Sequence, residues 1–229
     1  GWSVNQPYKK VKNYARGRSS TFNGEELKNN KHYIKRKKSY EKIMESALQV
    51  FSKKGYSDTS VEEIAESAGY TKGTVYVHFK SKEELFLTLM DERLKAFKRQ
   101  MIDRGIDEKG EGSIHSVKEL LHLFIELTEK DYWTPIFFEF CAISLRNEKI
   151  KGKLLDHYEK WLQLIMAYLA GLKQSGKIDN GIDIRKTSYE ILIALDGFHW
   201  HKTIHSNEVD LQMVENSVFS LLRLPLKEE

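Results

Sequence analysis

The chain has 229 residues, of which 40% are apolar and 31% charged, enough for a packed core in one large domain or two small ones. No apolar run reaches the roughly 18 residues of a membrane-spanning helix, and no charged start precedes an apolar stretch, so we expect neither a membrane span nor a secretory signal. The single cysteine, Cys141, excludes a disulfide framework and multi-cysteine metal sites, and it fits a cytoplasmic protein.

The net charge of +4 hides an uneven distribution along the chain. Residues 1–38 carry eleven Lys and Arg against two Glu, a net charge of +9. Residues 39–99 balance to zero, and residues 100–229 sum to −5. Such an asymmetry predicts a basic segment that meets a polyanion, most often nucleic acid.

Residues 1–38 have few apolar side chains and no clear period, which predicts a basic, disordered arm outside any core. The arm has three interpretations: it follows phosphates or enters a minor groove beside the main contact, it is a solvated tail, or part of it is not native. We favour an electrostatic contribution from Lys35, Arg36, Lys37 and Lys38, which adjoin the first predicted helix.

Residues 39–84 predict three helices joined by short turns. Apolar residues recur along one face of the first two, and Gly55 and Gly69 stand where these helices are expected to end. The third helix is short, and only Val75 and Phe79 form its inward pair.

Cap residues mark where these helices start. Thr59 or Ser60 is the expected cap of the second helix, and Thr71 that of the third. Ser81 with Glu84 is typical of a capping box, and it predicts a longer helix that runs to about residue 99.

Residues 85–229 predict a linking helix and a larger helical domain, with a polar, Gly-rich joint at 103–113. We find no strand alternation and no internal repeat, so the predicted fold class is all-α. The further helices are expected at about 117–124, 134–147 with Thr134-Pro135 at its start, 151–174, 183–205 with Asp183 as cap, and from Asn207 to before Pro225.

Two short helices joined by a tight turn, after a scaffold helix, are the pattern of a helix-turn-helix. The outward side chains of the third helix are donors, acceptors and small groups of the kind that enter a major groove. Its N-terminus also offers free backbone N–H groups and a positive dipole end to phosphate.

Residues 39–90 resemble the DNA-binding domain of tetracycline-repressor (TetR) type regulators, above all in the run TKGTVYVHFKSKEEL at 71–85. Tyr70 stands where a small aliphatic residue is usual, and Val77 where a second aromatic is common. The resemblance implies a three-helix DNA-binding domain followed by a variable helical domain that binds a ligand and forms a dimer.

The resemblance also implies which residues face double-stranded DNA. Each has a second interpretation: Thr59 and Thr71 as caps only, Tyr76 as partly core, and Lys80 as a solvated charge. The expected set is Thr59, Ser60, Thr71, Lys72, Gly73, Thr74, Tyr76, His78 and Lys80.

We expect a homodimer, because one short recognition helix covers only a few base pairs of an operator. The resemblance implies that the last two helices pair with their copies in a four-helix bundle. The apolar stripe of the last helix fits this pairing, and it fits ordinary intrachain core equally well. The stripe comprises Leu211, Val214, Val218, Leu221 and Leu222.

Aromatic residues crowd positions 132–200, and an aromatic-walled pocket would suit a small apolar or aromatic effector. Simple core packing is the alternative for each of these rings. The candidate ligand-binding residues are Trp133, Phe137, Phe140, Trp161, Tyr168 and Trp200.

Metal and catalytic chemistry find little support. His201 and His205 share a helical face, but the pair lacks a third ligand fixed by spacing, so we predict no metal site and no cofactor. No nucleophile, base and orienting group can be assembled, so we predict no catalytic residues and a protein that is not an enzyme.

The sequence therefore predicts a sequence-specific transcriptional regulator, a repressor that a small-molecule effector releases from a palindromic operator. Two alternatives stay open. One is a DNA-binding dimer whose C-terminal domain binds no small molecule. The other is a helical metalloprotein or enzyme that uses Asp196, His199, His201 and His205.

Overall fold

A computed structural model describes residues 24–107 and 114–225 of the chain. Within these ranges the structure is helical, without a strand, which confirms the all-α class. The helices are α1 (Gly24–Lys54), α2 (Val61–Ser67), α3 (Lys72–His78), α4 (Lys82–Asp103), α5 (Ile114–Glu129), α6 (Trp133–Ser144), α7 (Glu148–Gln174), α8 (Ile184–Ile204) and α9 (Leu211–Leu221).

The first helix is longer than the sequence predicts. It begins at Gly24 rather than near Ser39, so the later part of the expected disordered arm is helical. Residues 30–36 are exposed, in keeping with their lack of apolar periodicity, and the backbone simply continues the packed helix that follows. Positions 1–23 lie outside the described residues.

Local cap chemistry sets the predicted starts of the short helices. Ser60 and Glu63 form a reciprocal capping box on α2, which selects Ser60 over its neighbour as the cap. Thr71 caps α3 by accepting from the Thr74 N–H, and Ser81 caps α4. Gly69 closes the turn after α2 with a φ of +72°, a conformation that glycine adopts without strain.

Two predicted caps in the C-terminal half are wrong. Asp210, not Asn207, caps α9 and accepts from the Met213 N–H. Helix α6 begins at Trp133, and the Thr134 hydroxyl donates to the Thr128 carbonyl at 3.1 Å instead of capping. Tyr132, in a left-handed conformation with a φ of +53°, sets the entry angle of α6.

The core of the N-terminal helices extends beyond the expected domain boundary at residue 84. Phe86 of α4 stacks on Trp133 of α6, with ring centroids 5.3 Å apart, and lies 4.5 Å from Phe140. Phe51 and Tyr56 complete this aromatic cluster. Helix α6 is therefore part of the core on which the first three helices pack.

A second core lies in the C-terminal half. It joins the later part of α4 with α5, α7, α8 and α9, and it buries leucine, isoleucine, valine and aromatic side chains from all five helices. Because α4 runs through both cores, a displacement of this helix would be felt in each.

Two opposite charges hold the loop between α1 and α2. The Glu139 carboxylate accepts from the backbone N–H groups of Tyr56 and Ser57, both at 2.7 Å. From α4, Lys82 Nζ donates to the carbonyls of Tyr56 and Thr59, both at 2.9 Å. Gly55 permits this close approach, because an added Cβ would lie 2.8 Å from the carboxylate and its φ is +83°.

The Glu139 contacts lower the pKa of its carboxyl below the ordinary 4.5. Partial burial raises this pKa, but the hydrogen bonds from Ser57 and Tyr56, together with the nearby charge of Lys82, outweigh it. A lowered pKa in the folded state means that the stabilisation is present above the ordinary pKa and is lost as the pH falls.

Replacing Glu139 with Ala should lower the free energy of unfolding by about 2 kcal/mol at pH 7, because two charge-assisted hydrogen bonds are removed. Glu139→Gln keeps one carbonyl acceptor and should lose less. Urea unfolding measures both. The control is Glu148→Ala, an 86% exposed side chain on α7. A Glu139→Ala difference that stays unchanged as the pH is lowered until the Glu139 carboxyl is protonated would contradict the assigned role of the charge.

Candidate functional site

Helix α3 has an outward face whose side chains are largely exposed. Val75 and Phe79 are buried as the sequence predicts, whereas Tyr76 is 46% and Val77 63% exposed. The backbone of Gly73, next to the N-terminus, is open as well. The outward face therefore offers a phenol and a small aliphatic group to a binding partner.

The lysine of α3, Lys72, already has an acidic partner within the chain. Lys72 forms an ion pair with Glu62 of α2 and lies 5.8 Å from the Tyr76 ring centroid. The hydrogen bond to Glu62 is the main cause of a raised pKa at Lys72. Since the pair is exposed, a phosphate can compete for the lysine at little cost.

Two of the expected DNA-facing residues point elsewhere. Thr59 is 2% exposed, and its hydroxyl donates to the Gly55 carbonyl at 2.7 Å, so it ties the loop internally. His78 Nε2 lies 2.8 Å from Ser39 Oγ. Because that hydroxyl donates to the Arg36 carbonyl, His78 is the donor of this bond, and it anchors α3 to α1.

The other candidates lie at the surface. Thr71, Lys72, Tyr76 and Lys80 are exposed, and Ser60 is partly exposed within its capping box. Thr74 is also partly exposed, with its hydroxyl 3.1 Å from that of Thr71. Ser60, Thr71, Lys72 and Gly73 lie at the N-termini of α2 and α3, whereas Lys80 follows the C-terminal end of α3.

A basic surface adjoins this face through α1. The bond between Ser39 and His78 places the start of the packed part of α1 beside the end of α3. Residues 30–38 carry no acidic side chain and five basic ones, which are Lys31, Lys35, Arg36, Lys37 and Lys38. The sequence shows that this segment is basic, but its pattern does not predict that the segment is helical.

A cavity of about 70 Å³ opens among α4, α5, α6, α7 and α8. Three of the predicted ligand-binding residues line it: Trp133, Phe137 and Trp161. Its polar groups are Arg93, Asp196 and His199, with Tyr158, His157 and threonine hydroxyls close by. We call this space the polar cavity.

The remaining predicted ligand residues lie elsewhere. Phe140 is fully buried against Phe86 and Tyr56, so it belongs to the core near α1. Trp200 is 51% exposed and packs edge-on against Phe138. Tyr168 lines a second, separate cavity. Helical spacing alone could not assign these rings, because each lies on a helix with more than one buried face.

The polar cavity contains a buried cation that is not among the ligand-binding residues predicted from the sequence. The Arg93 guanidinium lies 4.3 Å from the Trp133 ring centroid, donates to the Leu127 carbonyl and lies 4.0 Å from the Asp131 carboxylate. Burial lowers its pKa to about 10, so it stays charged at neutral pH. An arginine within an otherwise apolar helical stripe was the available signal.

Asp196 and His199 have opposite responses to burial. Burial raises the pKa of Asp196 to about 6, although the Tyr158 hydroxyl donates to it at 3.3 Å. Burial lowers the pKa of His199 to about 4. The Thr128 hydroxyl donates to the Phe124 carbonyl, so the neutral His199 donates from Nε2 to Thr128.

A hydrogen-bonded chain connects the cavity wall to α4. Trp161 donates from Nε1 to His157 Nε2 at 3.2 Å, so the neutral imidazole carries its proton on Nδ1. That nitrogen lies 3.0 Å from Asp91 on α4, and Lys160 also binds Asp91 at 2.8 Å. These bonds thus join the indole in the cavity wall to the linking helix.

The histidines considered for metal binding do not converge. His199 is buried in the cavity wall, whereas His201 and His205 stack on each other at the exposed end of α8. Within residues 24–107 and 114–225, no group of three or more His, Cys, Asp or Glu side chains has a geometry that could hold a metal ion.

The apolar stripe of α9 faces inward. Val214, Val218 and Leu222 are buried in the chain's own core, and Leu211 and Leu221 pack against it. Helix α8 instead has an exposed apolar face of the kind that marks an association surface. It comprises Tyr189, Ile193, Trp200 and Ile204.

Changing Asp196 to Asn should raise stability above pH 6. A pKa raised from 3.8 to about 6 means that the folded state retains a proton that the unfolded state has lost, so stability falls as the pH rises through this window. The variant should gain up to about 3 kcal/mol at pH 8 and little at pH 3.5.

Thermal unfolding from pH 3.5 to 8 measures this difference, with the exposed Asp156→Asn on α7 as control. A wild-type stability that rises between pH 4 and 6 relative to Asp196→Asn would have the wrong sign.

The sequence and the fold both resemble known proteins. Residues 43–89 match the family described as bacterial regulatory proteins, tetR family. The uncharacterised HTH-type transcriptional regulator YwcC of Bacillus subtilis is 30% identical over 183 residues, which cover 75% of this chain and 79% of that protein. The fatty acid metabolism regulator protein of the same organism is 28% identical, covering 80% and 93%.

The fold also matches a solved structure, that of the transcriptional regulator FadR from Bacillus subtilis in complex with stearoyl-CoA. Its TM-score is 0.59 at 23% identity, with 80% of this chain and 97% of that chain covered. At this identity the likeness shows the fold alone. None of the helices that the structure describes combines the length and apolar character needed to cross a bilayer.

Proposed function

Because the chain belongs to the tetR family of bacterial regulatory proteins, we propose that it is a homodimeric repressor released from a palindromic operator by a small-molecule effector. DNA binding and transcriptional regulation follow from the family itself. We place its action in the cytoplasm, where bacterial chromosomal DNA lies.

The exposed face of α3 carries the DNA-binding part of the proposal. Tyr76 and Val77 project from it, while Val75 and Phe79 fix the helix to the core behind. The bond between His78 and Ser39 further sets the position of α3 against α1. A helix held in this way can enter a major groove as a rigid unit.

The proposed DNA-facing set is smaller than the sequence predicts. It keeps the surface residues of α3 and the cap of α2, and it omits Thr59 and His78, whose side chains bond internally. Lys72 is expected to exchange Glu62 for a phosphate on binding. The set is Ser60, Thr71, Lys72, Gly73, Thr74, Tyr76 and Lys80.

Selection of bound duplexes from a random pool tests this function. We expect enrichment of a palindrome, because two copies of α3 related by a two-fold axis read two half-sites about one helical turn apart. Enrichment of a single asymmetric half-site would contradict the dimer, and no enrichment over non-specific binding would contradict sequence-specific recognition.

Dimerisation is proposed to use the exposed apolar face of α8. Ile193 is 70% exposed, and Tyr189, Trp200 and Ile204 extend the same patch along the helix. The C-terminal half carries net negative charge, so an interface here leaves the neutral helix-turn-helix module and the basic start of α1 free for DNA.

The effector is proposed to occupy the polar cavity and to carry an apolar chain. Aromatic walls, one buried cation and a few hydrogen-bonding groups are the usual lining of a small-molecule site. A relative is named a fatty acid metabolism regulator, and a structural neighbour was solved with stearoyl-CoA. A chain with an anionic head, such as a fatty acid or its thioester, fits Arg93 and the rings around it.

The signal is proposed to pass through α6. Trp133 and Phe137 line the cavity, while Glu139, on the same helix, holds the loop before α2. An occupant that displaces α6 therefore shifts this loop and changes the spacing of the two α3 helices in the dimer. Linkage requires that operator DNA weaken effector binding by the same factor.

The basic start of α1 is proposed to bind phosphates beside the recognition helix. Replacing Lys35, Arg36, Lys37 and Lys38 together with Ala should reduce the slope of log affinity against log salt by about 0.9 for each phosphate that is no longer neutralised. Fluorescence anisotropy with the selected operator at several salt concentrations measures this slope.

A control removes three lysines from the start of α7, with Lys149→Ala, Lys151→Ala and Lys153→Ala. It should leave the slope unchanged. Equal slopes for wild type and the α1 variant would exclude the helical extension from DNA binding and leave it a solvated helix.

A further inference from the structure

Two cavities meet inside the C-terminal half and share a wall. Besides the polar cavity, a second cavity of about 80 Å³ lies among α4, α5, α7, α8 and α9. Phe97, Phe124 and Trp161 line both spaces. We call the second space the apolar cavity and these three rings the partition.

The partition is a closed set of edge-on contacts. Trp161 lies with its ring centroid 5.1 Å from that of Phe97 and 5.3 Å from that of Phe124, and the two phenyl rings are 6.3 Å apart. All three pairs are T-shaped, and each such contact is weak enough for a ring to rotate when another apolar group replaces it.

The two cavities differ in chemistry. Arg93, Asp196 and His199 line the polar cavity. The walls of the apolar cavity are aliphatic and aromatic, and its one hydroxyl, on Tyr168, is already bonded to Ser116 at 2.6 Å. Water forms few hydrogen bonds in such a space. An alkyl chain that enters it therefore displaces only weakly bound water.

We propose that the two cavities are the two ends of one binding site, which takes an amphiphile with an anionic head and a long alkyl chain. The head lies near Arg93, and the chain passes the partition into the apolar cavity. This proposal rests on the effector function above and adds a length requirement: short chains end before the partition, and long chains displace it.

The partition also explains how chain length would be sensed. Trp161 is both a ring of the partition and the donor to His157, which binds Asp91 on α4. A chain that turns the indole aside breaks the bond to His157 and releases one tie on the linking helix. A chain too short to reach the indole leaves that tie intact.

Substitutions that fill the apolar cavity with a larger side chain test this end of the site separately from the polar cavity. Ile165 and Leu120 line the apolar cavity and not the polar one, and both are partly buried, so a larger ring can be placed at either. We would make Ile165→Phe and Leu120→Phe, on two different helices, in the whole 229-residue chain. Ile184→Phe enlarges a residue packed on the same core that lines neither cavity.

Calorimetric titration with octanoate and palmitate, below their micelle-forming concentrations, gives the affinities. We expect palmitate to bind about tenfold or more weakly to the filled variants, since losing the burial of two methylenes already has that effect, with octanoate little changed. The control should match wild type for both acids. Operator binding and thermal unfolding identify any variant that fails to fold, and the other filled variant then provides the test.

Two results would overturn the inference in different ways. Filled variants that bind palmitate as wild type does, or that lose both acids equally, would show that the apolar cavity takes no part in binding, while the polar cavity keeps its proposed role. A wild-type protein that binds neither acid would reject the alkyl-chain effector itself, and the length requirement with it.

Discussion

One carboxylate connects the two halves of this molecule. Glu139 lies on a helix whose first turn lines the polar cavity, and it accepts from two backbone N–H groups in the loop that precedes the DNA-binding helices. Around it, Phe86 and Trp133 stack within one aromatic core, so α6 packs together with α1 and α4. The position of the recognition helix therefore depends on the same element that an effector would touch.

This arrangement favours a switch over a gradual deformation. Packed aromatic cores and hydrogen-bonded loops have few alternative arrangements, so a small displacement at the cavity is resolved by moving whole helices. The turn before α6 is a suitable pivot, because Asp131 and Tyr132 both hold left-handed conformations that cost energy in residues other than glycine. An effector can shift the equilibrium between two arrangements of this turn only by as much as its affinities for the two arrangements differ.

Local chemistry explains which features the sequence could predict. The caps Ser60, Thr71 and Asp183 depend on contacts with residues no more than four positions away in the sequence. The inward pair of α3, Val75 and Phe79, follows from the helical period alone. The Glu139 bonds join positions more than 80 residues apart, and nothing nearby marks that glutamate. Likewise Phe137 lines the cavity and Phe140 the core, a division that three-dimensional packing decides.

The central claim is that Glu139 transmits effector occupancy to the DNA-binding helices, and the coupling factor tests it most directly. Operator affinity is measured with and without saturating palmitate for wild type, Glu139→Ala and the control Glu148→Ala. Wild type and control should lose affinity by a factor within about 5 to 150, and Glu139→Ala should lose little while still binding palmitate. A full coupling factor in Glu139→Ala would contradict the account.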